Sequence, residues 1–312
     1  MSVTGPDTAR FDTAARHRQV LSGNALGIAA VLSWSVGFPA AELLLTSWPP
    51  LALITGRFVI SVCVLMVLWL SVDGPSAVIN ARWGRGTLVG SVTFGLGAYL
   101  LLLAQYFTDP VTVAIIASTT PIAATLVEMV TGNRRLSGMF AFGLGASVIG
   151  GIVATGSADV GNLGLGALSA ITSGFLFSIG SHCCVRDLPS LSPIGRSAVT
   201  LAGGLLFAGG ALIISHTLGM EVLPNQPVDA SQIGLLLIYA LAGMAFSQVM
   251  WIACVGRLGV ALASFHMNVA PFYVMLIMLA LGAGWNWGTA LGAGIVIIGV
   301  ILAQTPPPRR RV

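Results

Sequence analysis

Three charged side chains stand inside long apolar runs: Glu42, Arg57 and Glu128. An ionisable group at the centre of a bilayer costs about 2.5–3.5 kcal/mol on insertion scales, so such a residue marks a functional site by default. Glu42 lies near the end of one run and Arg57 some seven residues into the next, with the turn "SWPP" between them. An ion pair between the two is sterically open, either as a helix lock or as part of a site. Glu128 precedes Arg134 and Arg135 and reads as an interfacial acid meeting them. His266 falls in another apolar run, five residues before Pro271. It would titrate near neutral pH or donate a hydrogen bond across helices.

Helical spacing gathers further polar and aromatic groups into stripes. Ser35, Pro39 and Glu42 share one face, as do Ser118, Pro121, Thr125 and Glu128. Gln248 and Trp251 are neighbours one turn apart, Tyr99 and Tyr106 stack two turns apart, and Trp34 and Phe38 form an aromatic edge. Polar groups gain nothing from facing lipid, so the stripes face protein or a water-filled cavity. Packing between helices uses the same residue types. Aromatic faces beside hydrogen-bonding groups suit an amphipathic organic solute with an apolar ring and a charged backbone. The binding candidates are therefore Trp34, Ser35, Phe38, Tyr99, Ser118, Gln248, Trp251 and His266. Pro39, Pro121 and Pro271 are hinge candidates: a proline inside a helix removes a hydrogen bond at a cost of about 3 kcal/mol. Pro121 and Pro271 would leave the carbonyls of Ala117 and Met267 without their usual donors, a break tolerated beside a cavity.

Bond-making chemistry has little to work with. No GxxxxGK[ST] phosphate loop, HExxH or GxSxG is present. The four cysteines, Cys63, Cys183, Cys184 and Cys254, have no zinc-like spacing and read as small packing residues. No metal, no cofactor and no enzyme activity are expected.

The elements that position these groups follow from composition. Hydrophobic residues make up 56% of the 312 residues and charged residues 8%, against about 25% charged in soluble domains. Apolar runs recur at the length of about 20 residues that a bilayer core requires. The reading is an all-α polytopic membrane protein of ten transmembrane helices, near 24–46, 50–71, 86–107, 110–131, 137–155, 162–184, 194–217, 232–254, 260–281 and 286–304. The first is a retained helix rather than a cleaved signal, because its apolar stretch is longer than a signal's and nine spans follow. The chain has no lysine, and every arginine except Arg57 falls in the tails, in loops or, for Arg196, at a span end, on one side of that topology. By the positive-inside rule that side is cytoplasmic, and both termini lie there. The arginines are scattered between spans, so the net charge of +4 does not point to nucleic acid. Membrane lipid and a small-molecule substrate are the expected partners. Glycine patterns such as "GTLVG" permit close contact within one chain as readily as between chains, so a monomer is compatible with the pattern.

Internal similarity divides the chain. "LGIAAVLSWSVGF" (26–38) aligns with "LGLGALSAITSGF" (163–175), and "GLGASVIGG" (143–151) with "GAGIVIIGV" (292–300). Pro121 and Pro271 occupy the fourth and ninth spans. The organisation read from this is a tail at 1–23, five-helix repeats at 24–156 and 162–304, and a basic tail at 305–312. Five is odd, so the repeats are inverted. Inverted repeats allow two packings to alternate around a midplane site.

The residues "PPLALITGRFVIS", the span-four proline and "TGNRRLSGMFAFGLGASVIGGIVA" are similar to the EamA-type fold of the drug/metabolite transporter superfamily. The run over about 24–304 looks most like the YddG-type aromatic amino-acid exporters. Arg57 occupies the place where that family often keeps a second-helix arginine. Asn133 stands where family members frequently carry a glutamate after span four, so the role of that acid does not transfer. The resemblance implies an inner-membrane transporter exporting small organic solutes, most aptly aromatic amino acids. A broad-specificity drug or metabolite exporter is the alternative within the fold. An intramembrane enzyme acting on a lipid is the alternative outside it.

Overall fold

A computed structural model describes residues 6–131, 138, 142–143, 145–146, 149, 160–224 and 226–304. The span expected at 137–155 lies largely outside these residues. Among the described residues there is no strand, and eight helices are long and apolar enough to cross a membrane. The chain is thus a multi-pass membrane protein. The helices are α1 (Pro6–Leu45), α2 (Pro50–Val72), the short α3 (Gly74–Ile79), α4 (Trp83–Phe107), α5 (Pro110–Val130), α6 (Val160–Asp187), α7 (Pro193–Thr217), α8 (Ala230–Leu258), α9 (Val260–Ala280) and the shorter apolar α10 (Trp287–Gln304).

Helix starts follow local chemistry. Pro50, Pro110 and Pro193 sit in the first turn, where the missing N–H is no loss. Asp109 accepts from the amides of Val111 and Thr112, Ser192 from Gly195, and Asp229 from Gln232, which satisfies donors that a helix start leaves free. Gly259, at φ +81°, turns the chain sharply from α8 into α9, a conformation that favours glycine.

Four helices depart from α geometry, two of them through π turns. Gly90–Gly95 in α4 and Leu241–Phe246 in α8 are π turns. A π turn inserts an extra residue and shifts the backbone bonds, frequently at functional sites. α5 breaks at Ser118–Thr119 and resumes at Thr120, just before Pro121. α9 passes through a 3-10 turn, Phe265–Val269, just before Pro271. α1 continues across Pro39 to Leu45.

The helices pack in matched pairs. α1 runs against α8 and α4 against α6; α2 lies along α7; α2 also meets α8 while α7 meets α4; α1 meets α9 while α6 meets α5. Both long pairs are antiparallel. Gln19 near the start of α1 bonds the Arg257 carbonyl at the end of α8, while Trp48 just beyond α1 bonds Gln232 at the start of α8. Arg85 at the start of α4 pairs with Asp187 at the end of α6 at 2.6 Å. Glycines let backbones close. Trp69 and Phe58 of α2 seat against Gly195 and Gly204 of α7, and Gly90 of the first π turn lies on the Thr200 carbonyl. With lipid as solvent this contact, more than hydrophobic exclusion, holds the helices together. Apolar side chains such as Val67, Leu168, Ile213 and Leu276 point outward, as a lipid-facing surface requires.

Candidate functional site

A cavity opens where α1, α2 and α4–α9 converge. Its aromatic walls are Trp34, Phe94, Phe177 and Trp251; its polar lining includes Arg57, Thr120, Ser173, Ser247 and Gln248. The space open to the centres of water-sized spheres is about 80 Å³, enough for several waters. A smaller adjoining pocket, also lined by Trp34 and Arg57, reaches Phe38, Gln105 and Tyr239. The breaks in α4, α5, α8 and α9 lie at or beside this level: Phe94, Ala117, Thr120, Gly243, Met244 and Met267 all line the cavity.

Arg57 is the charged member. Its side chain leaves α2 for the second π turn, donating from Nε to the Tyr239 carbonyl at 3.1 Å and from Nη2 to the Gly243 carbonyl at 2.5 Å. The guanidinium lies 3.8 Å from the centre of the Tyr239 ring, a cation–π contact. Ser61 and Ser33 donate to the carbonyls of Ala240 and Ala242. Side chains from α1 and α2 therefore occupy the carbonyls of Tyr239, Ala240, Ala242 and Gly243 around the π turn. The sterically open pairing of Arg57 with Glu42 is not formed. Glu42 instead accepts from Gln105 Nε2 at 3.1 Å, and the same amide donates to the Phe38 carbonyl at 2.8 Å. The reason is direction: Arg57 is turned toward α8 and Glu42 toward α4.

Trp251 is 3% exposed, donates from Nε1 to Ser181 Oγ at 2.9 Å, and lies 5.3 Å from Phe177. Trp34 meets Phe38 edge-on at 4.7 Å. Gln248 is 7% exposed, and its Nε2 is buried without a partner. Trp34, Gln248 and Trp251 thus come together on one cavity, and Phe38 stands on the adjoining pocket.

The other candidates are placed elsewhere. Ser35 and Ser118 are fully buried and bond back to the carbonyls of Val31 and Ile115 in their own helices. Tyr99 sits one position off the lining face of α4, which presents Phe94, Gly97, Ala98 and Leu101. Tyr106 is exposed and meets Phe107, not Tyr99. His266 bonds the Ala263 carbonyl through Nδ1 at 2.9 Å and lies against Gly27. Glu128 accepts from the Ala261 amide at 3.2 Å and so caps the start of α9; Arg134 and Arg135 lie outside the described residues. The carbonyls expected to be free are occupied. Thr120 Oγ1 donates to Ala117 at 2.5 Å, and the Ala270 amide donates to Met267. Sequence reasoning missed Thr120, Ser173, Phe94 and Phe177. Phe94 lies inside a π turn, and Ser173 and Phe177 lie on a helix with no clear polar stripe.

Residues 21–156 match the model of the EamA-like transporter family. No curated protein matches the sequence. A solved crystal structure of a protein superposes with a TM-score of 0.69, covering 91% of this chain and 97% of its own at 19% sequence identity. At that identity the likeness is one of fold.

Proposed function

We propose that the protein is a secondary transporter of small organic solutes that works by alternating access around the central cavity. Aromatic amino acids are its first substrate class, in keeping with the resemblance to aromatic amino-acid exporters. The observation that carries this reading is the cavity itself. Eight helices meet there, four of them at or beside their irregular turns, and aromatic walls surround a few polar groups. Irregular backbone in a membrane is tolerated where it lines a cavity or is buried in protein. The family match over 21–156 supports transport as the class.

Ten spans in two inverted halves, 24–156 and 162–304, are part of the proposal. Exchanging α1 with α6, α2 with α7, α4 with α8 and α5 with α9 maps the observed packing pairs onto one another. The π turns fall in one exchanged pair and the proline breaks in another. Glu128 of α5 meets the start of α9, on the side where Arg257 and Asp187 end their helices. α5 therefore finishes on the side where α6 also finishes, which supports one further crossing between them. The arginine distribution supports reading that side as the cytoplasmic one, and an inner membrane is part of the proposal.

The test is flux in liposomes holding the purified protein, with labelled aromatic amino acids, aliphatic amino acids and an organic cation. Saturable movement of the aromatic amino acids above protein-free vesicles is expected. Saturable movement of the cation at a similar rate would favour the broad-specificity exporter. Movement of none of them refutes the proposal.

A further inference from the structure

The charge of the cavity is one-sided. Arg57 is the one formally charged residue lining it among the described residues. A guanidinium stays protonated in a protein. Two carbonyl dipoles and the Tyr239 ring offset its burial, but no carboxylate neutralises it. Glu42 lines neither pocket and is held behind Gln105. Glu128 is committed to the start of α9. The span expected at 137–155 contains no acidic residue. A buried cation without a counter-ion is a site that an anion completes and a cation worsens.

A second observation points the same way. Gln248, on the α8 wall, is more than nine-tenths buried, and one end of its amide has no partner. An amide presents either its N–H or its oxygen to a ligand. Beside a carboxylate drawn by Arg57, the N–H end is the one that bonds. The indole N–H of Trp251 is taken by Ser181 and the hydroxyl of Thr120 by the Ala117 carbonyl. That leaves two lining groups with no partner among the described residues, the Gln248 amide N–H and the Ser173 hydroxyl, both of which can donate to a carboxylate. The neutral oxygens of Thr120 and Ser173 accept hydrogen bonds, yet they bring no negative charge to an ammonium.

We infer that the cavity is an anion site, which takes the carboxylate of an aromatic solute at Arg57 and Gln248 and does not require an ammonium group. The aromatic body then lies among Trp34, Phe177 and Trp251. Aromatic hydroxy acids and keto acids are on this view cargo in their own right, and aromatic amines are excluded. The inference rests on the cavity being the transport site.

The experiment compares three probes sharing one ring: phenylalanine, phenyllactate without the ammonium, and phenylalaninol without the carboxylate. Binding to the detergent-solubilised full chain is measured by calorimetry, and counterflow of phenylalanine and phenyllactate is measured in liposomes. Phenyllactate is expected to bind at least as tightly as phenylalanine, and phenylalaninol at least about tenfold more weakly, a difference of about 1.4 kcal/mol. In Arg57→Gln the ratio between phenyllactate and phenylalaninol should collapse. If that variant fails to fold, the wild-type panel decides alone. Phenylalaninol binding as tightly as phenylalanine, or phenylalanine binding without phenyllactate, overturns this inference and leaves the transport reading standing. Binding and flux of none of the three overturns both.

Discussion

Thr120 tests how this membrane helix tolerates its proline. Pro121 has no N–H, so the Ala117 carbonyl loses its regular partner, and Thr120 Oγ1 replaces it at 2.5 Å. Thr120→Val keeps the shape and removes the donor. Leaving a buried carbonyl unsatisfied costs about 1–3 kcal/mol. Ala117 borders the cavity, where water reaches part of the deficit, so the low end, about 1–1.5 kcal/mol, is the expected loss. Pro121→Ala restores a backbone donor to the same carbonyl. The cost of Thr120→Val in that background should then fall below half its value in the wild type, a coupling that a double-mutant cycle measures. The assay is reversible unfolding in mixed micelles of the wild type, both single variants and the double variant. Transport should fall in Pro121→Ala even though its stability holds or rises, because the break in α5 is lost. Equal costs for Thr120→Val in both backgrounds would refute the argument that the threonine hydroxyl stands in for the missing N–H.

Three other outcomes are expected. In Gly243→Ala the new Cβ would fall 3.0 Å from Gly37 Cα and 3.1 Å from Arg57 Nη2. Overpacking of this kind costs about 1–3 kcal/mol, visible as a lowered melting temperature together with loss of flux. Glu42→Gln, Glu128→Gln and His266→Gln should each retain downhill flux, because none of the three side chains lines the cavity. Complete loss in a correctly inserted variant would identify a required proton carrier. A topology reporter fused after Val312 should report the cytoplasm and one inserted at Gln226 the outside; the same answer from both breaks the ten-span reading.

The eight described spans and their rough ends were legible because a bilayer demands long apolar runs, and the prolines, aspartates and serines that start helices act within a few residues. The meeting of Gln248 with Trp251 was legible for the same reason, since one helical turn fixes it. Arg57 shows the limit. Its partners are carbonyls at Tyr239 and Gly243, far along the chain, whereas chain proximity suggested Glu42. The π turns were not legible either. They depend on tertiary contact, such as Gly90 on the Thr200 carbonyl and Gly243 against Gly37. Tyr99 fell off the cavity because α4 turns its small residues, Gly97 and Ala98, inward and leaves the larger ring to one side. The freed carbonyls at Ala117 and Met267 were rightly located but wrongly left open, since a neighbouring hydroxyl and a 3-10 turn satisfy them.

The central claim is that solute passes through the cavity among these helices, and Gly174 offers the most direct test. It lines the cavity, and a Cβ built on it meets only Thr120 Oγ1, at 3.3 Å, within 4 Å. At that distance the Thr120 hydroxyl must give by a few tenths of an ångström, and a phenyl ring added at a lining position takes up space the solute would need. Counterflow of labelled phenylalanine should be measured in liposomes with the wild type and with Gly174→Phe, matched for inserted, monodisperse protein. The account predicts saturable counterflow in the wild type and none in the folded Gly174→Phe protein. Undiminished counterflow through the plugged variant would contradict it.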